Sequence, residues 1–248
     1  MEKTFQLKLD KKDFAHSFLN IVGKAVDIAS IKFSKEGAYV ICNKPATSII
    51  LLGKYNYPID IEEEFSMNIG DIKKLLRVID VIEEDTLTFK ISSNSMSYKS
   101  KALQFKYHFL EDAIIPKVTT KKEKIESLEL HSFFDVEYKK LQELLKASSF
   151  TVDSNKVYIY ADEAGVHCEL GDKEVSNTDS ITVQISDVVE GQPITSVMPF
   201  NLDIFRVLSG IKFETARIGI NLTHKVMVFN VKPTPEIEFK FIISGLVK

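Results

Sequence analysis

Only two cysteines occur in the 248 residues, and Cys42 and Cys168 stand far apart, with no neighbour at the spacing of a metal site or a redox pair. They are expected to be buried apolar residues of a reducing compartment. Long apolar runs are missing too: no stretch approaches the roughly 18 residues of a membrane span, and the start, MEKTFQLKLDKK, lacks the apolar core of a signal peptide. The expectation is a soluble cytoplasmic protein with no membrane partner. Charge of one sign is also lacking, since 32 Lys and Arg against 35 Asp and Glu leave −3. A protein coated by nucleic acid usually needs a basic domain, so any surface for a polyanion must be local.

The signatures of common chemistry are absent. There is no P-loop, no dinucleotide-binding glycine loop, no HExxH and no CxxC. The five histidines, His16, His108, His131, His167 and His224, are scattered, and no serine or cysteine carries a nucleophile signature. The run Glu83 to Asp85 reads as a solvated turn before a strand rather than a magnesium site. We expect no enzyme, no cofactor and no metal.

What the sequence does contain is a repeat. Phe5 to Leu9 alternates as a strand, Asp10 offers a helix N-cap, and Lys11 to Ala25 places Phe14, Phe18, Ile21, Val22 and Ala25 on one helical face. Strand patterns follow in SIKFS, AYVIC, TSIILLGKY and FSMNI, then a short helix over Asp71 to Asp80, then LTFKIS, MSYKSK and LQFKYHFL. The second half repeats the order. FFDVE leads into a helix over Tyr138 to Ser149, with Tyr138, Leu141, Leu145 and Ser148 on one side. The strands VYIYA, VHCEL and ITVQIS follow. ITSVMPF leads to Asn201 as an N-cap and a helix over Leu202 to Ile211, and RIGINL, VMVFNV and EFKFIIS end the chain. In this alignment Lys12 falls on Lys139, Gly37 on Gly165 and Leu76 on Leu208. The prediction is an α+β chain of two copies of one domain, 1–112 and 129–248, joined by a linker over 113–128. Ile114, Ile115 and Pro116 are too apolar for a solvated tether, so the linker should lie against a domain surface.

The helices are basic outside their core faces. The four predicted helices hold eleven basic against six acidic residues, a surplus of five that leaves −8 for the rest of the chain. On the first, Lys12, His16, Asn20 and Lys24 fall at four-residue steps with no acid among them. Together with Lys11, Lys73, Lys74, Arg77, Lys139, Lys140, Lys146, Arg206 and Lys212 they form the candidate DNA-facing set. A basic helical surface on an acidic body suits phosphate contact while the remaining surface repels DNA. No helix looks like a base reader, and no aromatic cluster would stack bases. Contact with double-stranded DNA should be sequence-independent.

The duplicated unit, the basic helices, the apolar segment after QFKYHFLEDAIIP, and MPFNLDIFRVLSGI followed by ARIGINLTHKVMVFNV together resemble the DNA polymerase sliding clamps. That family of processivity factors includes proliferating cell nuclear antigen and the shorter clamps of T-even-like bacteriophages. The resemblance covers essentially the whole chain. It implies a ring-forming clamp fold, with antiparallel sheets outside and two helices per domain inside, that encircles duplex DNA and tethers a polymerase. Two-domain clamps close as trimers. Twelve helices at roughly 10 Å make a ring about 120 Å around, wide enough for a duplex with water. LQFKYHFL of one subunit should meet ITVQIS of the next. The resemblance also places a pocket for the apolar peptides of DNA polymerase and clamp loader, drawing here on Val40, Ile41, Ile114, Ile115, Pro116, Val118, Ile243, Gly245 and Leu246. Ser244 and Gly245 replace the alanine-proline near the eukaryotic clamp's end, which leans towards a bacteriophage origin and a host cytoplasm. A monomeric viral factor that grips DNA without encircling it, and a two-domain structural subunit whose basic helices meet only solvent, remain the competing readings.

Overall fold

A computed structural model describes residues 4–44, 49–151, 154–171, 173 and 179–246. The chain divides into two compact units, one of Met1–Asn43, Leu51–Lys122 and Pro233–Glu238, the other of Lys44–Ile50, Glu123–Lys232 and Phe239–Lys248.

In the first unit β1 (Phe5–Asp10) buries Leu7 and Leu9 and exposes the residues between them, the period of a strand covered on one face. At its end Asp10 turns the chain: its carboxylate accepts the Asp13 N–H at 2.8 Å and so caps the helical segment that follows. Lys11–Leu19 is wound as a π-helix, with the Asn20 N–H reaching back to Ala15 O, and it passes into α1 (Asn20–Ala25). The predicted single α-helix is therefore wider in its first half. Its buried face is Phe14, Ala15, Phe18, Leu19, Ile21, Val22 and Ala25. β2 (Ala29–Ser34), β3 (Gly37–Lys44), β4 (Ile49–Tyr55) and β5 (Phe65–Ile69) follow, with strand order β4-β3-β2-β5. Then come α2 (Ile72–Asp80), β6 (Thr86–Ile91), β7 (Ser95–Lys99) and β8 (Gln104–His108). A second antiparallel sheet has the order β1-β6-β7-β8, which leaves β8 at an edge. Aromatic rings fill the core: Phe33 stacks on Phe65 at 4.8 Å, and Tyr55 meets Phe14 edge-on at 5.7 Å.

A short helix, α3 (Lys122–Glu126), with Ile125 buried, occupies the predicted linker. In the second unit β9 (Ser132–Glu137) feeds α4 (Tyr138–Ala147), as β1 feeds its helix. β10 (Lys156–Asp162), β11 (Gly165–Leu170) and β12 (Ile181–Ser186) follow, then the two-residue β13 (Glu190–Gly191) and β14 (Met198–Asn201). After α5 (Asp203–Ser209) the chain ends with β15 (Thr215–Asn221), β16 (Val226–Thr234) and β17 (Ile237–Ser244). One sheet here has the order β12-β11-β10-β14, with β12 at an edge, and a second run has the order β13-β9-β15-β16-β17. The α4 seam is Leu141 and Leu144, with Leu145 only half-buried, so the inward stripe is rotated from the one predicted.

Gly37 and Gly165, matched in the sequence alignment, are equivalent in structure. Each opens the second strand of a hairpin at positive φ, +145° and +131°. A Cβ on Gly37 would lie 2.1 Å from Tyr55 O, and one on Gly165 would lie 2.2 Å from Ser186 O. In both repeats the next strand's backbone passes where a side chain would stand, so only glycine fits.

Candidate nucleic-acid face and partner-binding segments

Each unit packs two helices side by side. In the first, Gly23 makes the approach possible: a Cβ there would sit 2.9 Å from Ile72 Cγ2, so the missing side chain is what lets α1 lie on α2. Asp71 caps α2 by accepting the Lys74 N–H at 2.8 Å. With Ile72, Leu75 and Ile79 turned into the core, Lys73, Lys74 and Arg77 must face water, and all three are exposed. In the second unit α4 and α5 pair in the same way. Asn201, expected as the N-cap, instead ends β14 and accepts the Asp203 N–H at 2.8 Å; the cap position falls on Leu202, and α5 is shorter at both ends than the expected helix over Leu202 to Ile211.

The candidate DNA-facing cations fall into two groups. Lys12, Lys74, Arg77, Lys139, Lys146 and Lys212 are exposed. None of these six has a carboxylate within 4 Å among the described residues. The others are engaged. Lys11 is half-buried, and its ammonium donates to Asp80 O at 3.3 Å and to Ile82 O, tying it to the carbonyls that end α2. Lys73 pairs with Asp27 at 2.8 Å, and Lys140 with Glu143 at 2.9 Å. The hydrogen bond to Glu143 raises Lys140 above the usual lysine range and lowers Glu143 below the usual carboxylate range. Arg206 donates to Asp203 at 2.7 Å and to Asn155 at 2.5 Å. His16 lies 3.7 Å from Asp80, and the Asn20 side chain donates to His16 O at 3.3 Å. Lys24 is exposed on the same helical stretch. The pairs of Lys140 with Glu143 and of Arg206 with Asp203, three residues apart, are legible in the sequence, whereas the partners of Lys11 and Lys73 lie on other segments and are not.

The partner-binding candidates also divide. Val40 is 0% exposed and Ile243 is 1% exposed, so both complete the core and present nothing to a peptide. The reason is strand periodicity. Val40 shares its β3 face with Ala38 and Cys42, while Ile41, on the other face, is half-exposed. Ile114 is 57% exposed, Pro116 is exposed, and Ile115 and Val118 are half-buried within one short segment. Gly245 and Leu246 are half-buried; their N–H groups donate to Lys225 O at 2.6 Å and Pro199 O at 2.8 Å.

Burial pushes the Cys42 thiol up to about 12 and raises Cys168 as well, so neither is a nucleophile at neutral pH. Among the described residues no three of His, Cys, Asp and Glu converge as metal ligands, and no helix is long and apolar enough to cross a membrane.

No family model matches the sequence, and no curated protein matches it. Solved structures do match the fold. The proliferating cell nuclear antigen of A. fulgidus, solved with the C-terminal region of FEN-1 bound, superposes with a TM-score of 0.73 at 11% identity, covering 98% of each chain. That of Entamoeba histolytica gives 0.73 at 12% identity over 100% of both chains. The H. pylori beta clamp, in complex with 5-chloroisatin, gives 0.76 at 14% identity, covering 100% of this chain and 66% of that one. At such identities the likeness establishes the fold: this is a two-unit α+β chain with the architecture of the sliding clamps.

Proposed function

We propose that the protein is a DNA polymerase processivity factor that encircles duplex DNA and tethers polymerase and other replication proteins without reading sequence. The observation that carries this reading is the pair of packed helices in each unit. Its solvent side holds exposed cations with no carboxylate within 4 Å among the described residues, Lys12, Lys74 and Arg77 in one unit and Lys139 and Lys146 in the other, and Lys212 is exposed just beyond the end of α5. Phosphates attract exposed cations that no carboxylate neutralises, and because surface pairing adds little stability, leaving them unpaired costs the fold little. The two edge strands, β8 and β12, leave open hydrogen-bonding rims suited to head-to-tail closure, here into a homotrimer. Ile114 and Ile115 in the first unit, and separately Leu246 in the second, are candidate contacts for a polymerase or clamp-loader peptide. The role is non-enzymatic and cytoplasmic, in the host cell for a bacteriophage protein.

The test is retention. Loaded onto nicked circular DNA, the protein should stay through a salt wash and leave when the circle is linearised, and light scattering should give three times the subunit mass of 28.1 kDa. A persistent monomer that binds linear and circular DNA alike would instead support a factor that grips DNA on one face.

A further inference from the structure

The first unit holds a second feature that the helical faces do not explain. A cleft of about 840 Å³ opens where the start of β1, the loop before β5, the β6–β7 turn and the segment after β8 converge. That is the size of a small-ligand or short-peptide site. Its floor is aromatic: Phe5 meets Phe65 edge-on at 5.0 Å, and Phe109 lines the cleft with them. Its rim is acidic, with Asp60, Glu62, Glu63 and Glu64 on one side and Glu111 and Asp112 on the other, and no Lys, Arg or His lines it.

Asn68 adds an independent observation. It lies on β5, lines the cleft and is 6% exposed. Its backbone carbonyl accepts the Leu110 N–H at 3.0 Å. Its side-chain amide donates to Leu110 O at 3.1 Å and to Asp112 Oδ1 at 2.6 Å. The opposite flip would set the carboxamide oxygen against two acceptors, so the orientation is fixed. Its Oδ1 is left with no hydrogen-bond partner. A buried acceptor without a donor costs free energy that an incoming N–H would recover. The deficit and the carboxylates of Asp60, Glu62, Glu64, Glu111 and Asp112 ask for the same thing, a cationic donor, and the aromatic floor asks for an apolar group beside it.

We propose that this cleft binds a basic peptide segment of a partner protein, in which one or two bulky apolar side chains are flanked by Lys or Arg. The apolar residue lies on Phe5, Phe65 and Phe109, and a guanidinium or ammonium pairs with Asp112, loosening that carboxylate's hold on the Asn68 amide so that the buried Oδ1 can turn to accept an N–H. A nucleic acid is repelled by the same rim. The inference does not depend on DNA encirclement, because the site lies wholly within the first unit.

The experiment uses a rhodamine-labelled hexapeptide, Lys-Arg-Phe-Leu-Lys-Arg, and fluorescence anisotropy with the full chain. Binding should be saturable and should weaken with salt. It should weaken by about tenfold or more when glutamates replace the four cations, or serines replace Phe and Leu. Two variants test the site from the protein side: Glu62→Lys with Glu64→Lys inverts part of the exposed rim, and Ser66→Trp fills the cleft from the exposed face of β5. Each should lose about tenfold in affinity with unchanged circular dichroism. The side-chain amide resonances of Asn68 should shift as the peptide is added. Equal affinity for the serine peptide, parent-like binding by both variants, or unmoved Asn68 resonances would overturn the proposal. So would a change of oligomeric mass in the rim variant with peptide binding intact, because the cleft would then belong to a second copy of this chain.

Discussion

The two units share a scaffold but handle their cations differently. In the first, Lys73 is held at 2.8 Å by Asp27, which lies outside the helices, while Lys74 and Arg77 stand on α2 with no carboxylate within 4 Å among the described residues and six acidic residues line a separate cleft. In the second, Lys140 and Arg206 are each held by a carboxylate three residues away on the same helix, Glu143 and Asp203. Intrahelical pairs three apart form readily and contribute little stability, about 0.3–0.5 kcal/mol each. Their larger effect is to cancel charge where a phosphate would pass. The two units thus share backbone constraints, visible at Gly37 and Gly165, and differ in where the acids that pair their helix cations sit.

The sharpest way to break the equivalence of the scaffolds is through their cores. Phe33→Ala and Phe229→Ala each remove a ring that is 1% exposed, and each should cost about 3–5 kcal/mol, measured as a lowered urea midpoint. Alanine at Gly37 or at Gly165 should cost about 1–3 kcal/mol at either site, because the strained φ and the blocking carbonyl are the same in both. A large difference between those two glycine variants would mean that the hairpins are not equivalent.

That equivalence was legible in the sequence because strand alternation, helix stripes and a turn glycine are local signals. Leu7 and Leu9 point inward as their spacing requires, and the glycine match needed only an alignment of the halves. The misses share a different cause. The resemblance places Ile243 in the partner pocket by its position on the last strand, but burial depends on what covers a strand, and β17 is buried from Phe241 to Ile243. Lys11 looked like its neighbour Lys12 until its ammonium was found on the α2 carbonyls. The two-residue β13 is too short to have a period, and α3 lies in a segment with no evident stripe. The acidic cleft was invisible because IEEEF, read alone, is an exposed alternation; its aromatic floor comes from three separate stretches of chain.

Charge reversal tests the contrast between the helix pairs. Lys12→Glu, Lys74→Glu, Lys139→Glu and Arg206→Glu together leave Phe14, Leu141 and Leu208 untouched in the core, so folding should survive. Retention on circular DNA at rising salt should fall steeply, because repulsion replaces attraction along the face. Divided by unit, Lys74→Glu with Arg77→Glu should cost more retention than Lys140→Glu with Arg206→Glu, since the latter cations are already neutralised. Equal losses would mean that the intrahelical pairs open on DNA. Leu246→Asp, by contrast, should abolish polymerase stimulation while leaving oligomeric mass unchanged; preserved stimulation would remove Leu246 from the partner contacts.

The smallest effect concerns an ion pair that only the second unit has. Arg217, on β15, donates to both carboxylate oxygens of Glu190, one at 3.0 Å, and to Asp135 at 3.3 Å. It thereby fastens β13, which is held otherwise by its short pairing with β9. The hydrogen bond from Arg217 lowers the Glu190 carboxyl below the usual glutamate range. A carboxylate whose folded value is depressed contributes its stability in full above its unfolded pKa, about 4.3, and loses it as pH falls through the lower folded value. The strand should therefore stay docked at neutral pH and loosen only in acid. Because Glu190 is well exposed, solvent screening keeps the contribution small. Amide exchange at Gln192, whose N–H donates to His131 O at 2.8 Å, should be flat from neutral pH to the unfolded glutamate value, after correction for intrinsic rates, and should accelerate below it. Glu190→Gln should exchange at neutral pH as the parent does in acid, with little change in global stability. If exchange at Gln192 in the parent were unaffected by acid, the pairing with β9 and the Gln192 contacts to His131 and Ser132 would be sufficient to hold β13.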